Sequence, residues 1–194
     1  MLHTYGWVKR PSGSSKILRG CFVLLLAAIL FYFIALASPY WVYKSEGDRF
    51  TSLGVWNYCD NNLKVYKDVD YQTWCASVLS YPYLTSLNSG LLRTLQAVAV
   101  IALFLLITAI FALGIKMFQL KDKTILLVVS MIANAVAVFF LLVIIAGVAG
   151  ALPLIRTVVP GGHLHFSFAF AVLAEFACIV GEVLMCIERC TIRN

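Results

Sequence analysis

Four long apolar runs, separated by one long and two short polar connections, set the pattern of this chain. The runs lie at about 17–37, 91–115, 124–151 and 167–187. Each reaches the roughly 20 residues that cross about 30 Å of hydrocarbon. No water is available there to satisfy the backbone, so each run is predicted to be a transmembrane helix. Between the first two runs, over 38–90, the pattern changes to short stretches of aromatic and β-branched residues at 40–44, 52–59, 63–66 and 71–78. Ser-Glu-Gly-Asp, Asp-Asn-Asn and Asp-Val-Asp segments separate them, which is the punctuation of short strands and turns. From Tyr81 and Pro82 to Gly90 the chain returns to the second apolar run. The second polar connection on the same side, 152–166, is much shorter. The predicted fold is an all-α membrane bundle of four transmembrane helices with a small extracellular antiparallel β-sheet formed by the first external loop. It occupies residues 1–194 as one domain, with no linker, internal repeat or low-complexity segment.

Composition agrees with the pattern. The chain is 62% hydrophobic and 12% charged, with a mean hydropathy of +0.91, well outside the range of soluble domains. The net charge of +6 is distributed as a topological signal, not as a nucleic-acid patch. Lys9, Arg10, Lys16, Arg19, Lys116, Lys121, Lys123, Arg189 and Arg193 fall on one side, which positive-inside bias assigns to the cytoplasm together with both termini. Lys44, Arg49, Lys64, Lys67 and Arg156 fall on the other side, among acids, and Arg93 sits at the boundary. Ala35-Leu36-Ala37 has the look of a signal-peptidase site behind a basic segment. The apolar run before it is longer than the roughly 7–15 residues of a signal core, so an uncleaved anchor is expected.

Six cysteines divide by position. Cys59 and Cys75 lie in the long external loop, where disulfides persist, and on neighbouring strands they would come within bridging distance. The alternative is a pair of exposed free thiols. Cys21, Cys178, Cys186 and Cys190 fall within spans or near the cytoplasmic face, as small apolar residues or lipidation candidates. Cys190, beside Arg189 and Arg193, is the first choice for S-acylation and Cys186 the second.

Trp41, Gly54-Val55-Trp56, Cys59 and Cys75 in the first loop of a four-span chain resemble the W-GLW-C-C signature of the superfamily of claudins, peripheral myelin protein and epithelial membrane proteins. Arg93 resembles the arginine that claudins place at the start of the second span. The topological resemblance covers the whole chain, the motif only a handful of residues. Val55 replaces the motif leucine, the interval between the cysteines is longer than claudins usually have, and the chain ends Thr-Ile-Arg-Asn without a Tyr-Val terminus for a scaffold. The resemblance implies a structural protein at plasma-membrane cell contacts. It would form a junctional barrier or membrane apposition, assembling with copies of itself or related four-span proteins in cis and in trans within the lipid bilayer. The alternative it implies is an auxiliary subunit modulating an ion channel or receptor partner.

Polar residues inside the spans are the remaining chemistry. Glu175 and Glu182 share one face of the fourth span, and counting from the cytoplasmic ends sets Glu175 level with Asn134 and Glu182 level with Ser130. Neutral acids hydrogen-bonding between helices are the structural reading, and an ion path or a partner-helix contact the alternatives. Ala146 to Gly150 and Ala177 to Gly181 have small-xxx-small spacing, expected to serve ordinary packing. His163 and His165 lack a third external ligand for a metal. No nucleophile with a base, Cys-x-x-Cys or phosphate loop occurs, so no enzyme activity and no cofactor are expected. The first loop is nearly balanced in charge and forecasts no ion preference.

Overall fold

The computed structural model describes residues 16–47, 49–61, 74–80, 89–119 and 124–193. Among them, four helices are each long and apolar enough to cross a membrane: α1 (Lys16–Ala37), α2 (Ser89–Phe118), α3 (Thr124–Val158) and α4 (Phe166–Arg193). Helix α1 packs most extensively on α4, and α2 on α3. Contacts of α3 with α4 and of α1 with α2 join the two pairs into one bundle. The buried faces are rich in small residues, with Ala28, Ala35, Ala99, Ala102, Ala137, Ala171 and Ala174 all fully buried. Small side chains let helix backbones approach closely where burial against lipid-like surroundings gives little drive. Gly181 lies on the buried side of α4, where an added Cβ would make ordinary contact with the Leu25 side chain at 3.4 Å. The Ala177 to Gly181 step is therefore packing inside the bundle. The Ala146 to Gly150 step faces outward instead, with open space at Gly150.

Among the described residues five strands form the sheet, β1 (Val42–Glu46), β2 (Arg49–Leu53), β3 (Asn57–Asp60), β4 (Trp74–Ser77) and β5 (His163–Leu164), arranged in the order β4-β3-β2-β1-β5 with antiparallel pairing throughout. Gly47, with φ of 60°, opens the tight β1–β2 turn that pairs Glu46 with Arg49. A positive φ is what the first central residue of a two-residue hairpin loop requires. Val42, Leu53, Tyr58, Val78 and Val159 are buried together on one side of the sheet, against Leu92, Leu152 and Ile155 of the bundle.

Three expectations need correction. The 52–59 stretch is not one strand: β2 ends at Leu53, the chain turns over 54–56, and β3 begins at Asn57. The sheet is not formed by the first loop alone, since β5 comes from the connection between α3 and α4 and pairs with β1. Helix α3 does not stop near 151 but runs through Pro153 to Val158, because Leu152 and Ile155 are drawn under the sheet. The proline costs one backbone bond near the helix end. The expected strand at 63–66, residues 71–73 of the 71–78 stretch, residues 81–88 of the returning segment, and Lys9, Arg10, Lys64, Lys67, Lys121 and Lys123 lie outside the described residues.

Candidate functional site

The signature residues converge on the junction between sheet and bundle. Trp41, 2% exposed, belongs to the bundle core. Its Nε1 donates to the Ala35 carbonyl at 2.7 Å, and its ring meets Phe168 edge-on at 6.2 Å. Its backbone is tied to both connections at once: Trp41 N donates to Leu53 O and His165 N donates to Trp41 O. One residue thus anchors the sheet to α1 and α4.

The Gly-Val-Trp segment is the β2–β3 turn. Gly54 N donates to Asn57 O at 2.8 Å, and Val78 N donates to Trp56 O at 2.9 Å. A Cβ at Gly54 would sit 2.6 Å from Pro39 Cα and 3.0 Å from Ser38 O. Both are backbone atoms that cannot swing aside, so glycine is required by close approach. The Val55 carbonyl accepts from Gln96 Nε2 at 2.8 Å, which fastens the turn to α2. Sequence reasoning missed Gln96, which is 8% exposed. A polar side chain one turn past Arg93 in an apolar run was the available signal. Arg93 itself is exposed in the second turn of α2.

Cys59 and Cys75 are direct partners on β3 and β4 and form a disulfide, with Cα atoms 4.1 Å apart. Cys59 is buried and Cys75 exposed. Trp41 is committed to the bundle, and Trp56 is 36% exposed at the turn. The residue paired with Cys59 on its other side is Ser52.

Away from the bridge, aromatic rings gather at the β5 edge. His165 lies 4.8 Å from the Tyr43 ring and 5.2 Å from Phe166, and Tyr40 lies 5.2 Å from Phe166. His163 and His165 are part of this cluster, and no group of three potential metal ligands occurs among the described residues. Lys44 and Glu46 form an exposed ion pair at 2.8 Å, and the ammonium holds the Glu46 carboxyl below its ordinary range.

The polar residues within the long apolar helices are arranged differently from the expected depths. Asn134 Nδ2 donates to Glu182 Oε2 at 2.9 Å and to the Cys178 carbonyl at 3.0 Å, so Asn134 is level with Glu182 and not with Glu175. Ser130 Oγ donates to Ala109 O at 2.8 Å and lies 3.5 Å from Met185 Sδ, one turn below Glu182. Glu175 is 5% exposed, and neither carboxyl oxygen has a hydrogen-bond partner. Cys186 and Cys190 are exposed free thiols near the end of α4, while Cys21 and Cys178 are buried. Lys116, expected in the connection between the second and third runs, is instead buried within α2.

No protein-family model matches this chain, and a search of curated proteins found no match. The claudin-like reading rests on the sequence resemblance alone.

Proposed function

We propose that the chain is a four-span plasma-membrane protein of claudin-like type, with both termini cytoplasmic and the disulfide-braced sheet displayed outside. There it makes contact with a facing cell as part of a junctional barrier or membrane apposition. The observation that carries this reading is the junction built by the signature residues. Trp41 is sunk in the bundle, Gly54 is wedged against Pro39, and the Cys59–Cys75 bridge braces the outer strands. The bundle thereby presents one sheet in one orientation.

Exposure of Trp56 supports a contact role over a purely internal one. A tryptophan left at a turn is an amphipathic anchor of the kind that dominates binding surfaces. Orientation rests on the placement of Lys16, Arg19 and Arg189 at the end of the bundle opposite the sheet, as positive-inside bias requires. The outward small-xxx-small step on α3 and the lipid-facing apolar surfaces suit side-by-side assembly in the membrane.

The test is expression in cells that lack junctions, comparing wild type with Cys59→Ser/Cys75→Ser and Trp56→Ala. Wild type should gather at cell contacts, and both variants should reach the surface without gathering. If the variants gather as wild type does, the adhesive-sheet reading fails. Co-purification of a channel with both variants would then favour an auxiliary subunit acting through its helices.

A further inference from the structure

Glu175 is the one carboxylate among the described residues that is buried with both oxygens unpartnered. Leaving an ionised carboxylate in an apolar interior with no donor is far more costly than giving it a proton. Its surroundings follow from the packing registers. Leu25 lies against Gly181, so antiparallel α1 brings Tyr32 to the level of Ala174, and the Tyr32 hydroxyl donates to Ala99 O across the bundle. Ser130 against Ala109, with Asn134 against Cys178, brings Ala102 and Ala137 to the same layer. The carboxyl therefore sits in a layer made of alanines and Tyr32, whose hydroxyl is committed to Ala99 O.

The two directions away from that layer differ. Toward the sheet the interior buries Ala171, Leu141, Leu36 and Trp41 with two non-ionisable polar side chains of the helices, Gln96, whose amide donates to Val55 O, and Ser167 at the start of α4. Toward the other end polar and ionisable side chains recur among buried Leu25, Leu106, Leu113 and Met185: Asn134 and Glu182 one to two turns on, then Ser130, and finally Glu188 and Lys116, both buried. Asn134 Oδ1 also lacks a partner, so a second buried acceptor lies on this side. The titratable groups of the interior are Cys21 and Tyr32 on α1, Lys116 on α2, and Cys178, Glu182 and Glu188 on α4. Helix α3 adds none to the buried face among the described residues.

We propose that Glu175 is a proton-binding site at the centre of the bundle, loaded from the end opposite the sheet by way of the Glu182–Asn134 pair. The proton arrives as hydronium or from Glu182 and adds to one Glu175 oxygen, giving a neutral carboxylic acid; loss of the proton reverses the step, and no other bond changes. The site holds an exchangeable proton inside the bundle, a property that the contact function does not require.

Infrared spectroscopy of the full chain in detergent micelles at neutral pH tests this. Carboxyl-13C glutamate assigns the protonated-carboxyl C=O band, and transfer into D2O times its exchange. A glutamic-acid band should be present in wild type and lost in Glu175→Gln, and Glu175→Asp should move it to the aspartic-acid position. Its deuterium shift should slow on the order of tenfold in Asn134→Leu, the loss of one buried hydrogen-bonding partner, and stay unchanged in Ser167→Ala. A labelled wild type with no protonated-glutamate band overturns the proposal without any variant, as does a band that survives in Glu175→Gln. Exchange that is unaffected by Asn134→Leu, or slowed by Ser167→Ala instead, overturns the loading route.

Discussion

Removing the disulfide should loosen one edge of the sheet and leave the helices unchanged. Among the described residues strand β4 is at the edge of the sheet and pairs with β3, and the bridge joins the two at directly opposed residues. It closes a sequence separation of 16, which in the chain-entropy account restrains the unfolded segment by about 3 kcal/mol. The apolar core under the sheet is small, its buried members being Val42, Leu53, Tyr58, Val78 and Val159, and none of them lies on β4 itself. In Cys59→Ser/Cys75→Ser, opening of β3 and β4 should therefore become easier by about 3 kcal/mol, on the order of a hundredfold in the opening equilibrium. Hydrogen exchange read by mass spectrometry in detergent is the assay. Amides of Asn57–Asp60 and Trp74–Ser77 should lose protection by that factor, while the interiors of α1 to α4 exchange as in wild type. Equal protection of β3 and β4 in both proteins would refute the bracing argument. Loss of protection throughout the helices would refute the claim that sheet edge and bundle open separately.

Three further outcomes follow from the junction and the tail. Trp41→Ala should cost about 3–5 kcal/mol, as for other buried tryptophans, and lower thermal stability and surface delivery. Trp56→Ala, at a position 36% exposed, should keep both and lose only contact enrichment, and equal melting temperatures for the two variants would contradict the assignment. Gly54→Ala should destabilise by about 1–3 kcal/mol through overpacking against Pro39, and a melting temperature equal to wild type would show that the backbone can yield there. Acyl-exchange labelling should be carried by Cys190, with Cys186 second, since exposed juxtamembrane thiols beside basic residues are favoured acceptors. Labelling unchanged in the Cys186→Ser/Cys190→Ser double variant would remove that assignment.

What the sequence determined by itself is what depends on local length and composition. A run of about 20 apolar residues must form a helix if it is to span hydrocarbon, and four such runs become α1 to α4. Two cysteines among β-forming stretches and turn residues were enough to expect a bridged sheet. Strand addition by β5 was not legible, because two residues of a short connection carry no periodicity, and only their position beside β1 makes them a strand. The extension of α3 past Pro153 was equally hidden: the proline reads as a stop, while burial of Leu152 and Ile155 beneath the sheet is a tertiary gain. Glu182 rather than Glu175 meets Asn134 because α4 continues to Arg193 instead of ending near 187. That displaces the helix ends from which depth is counted by more than a turn. The division between the two tryptophans also belongs to the tertiary structure. The same side chain is a core residue where α1 and α4 close over it, at Trp41, and a surface residue where a turn lifts it clear, at Trp56.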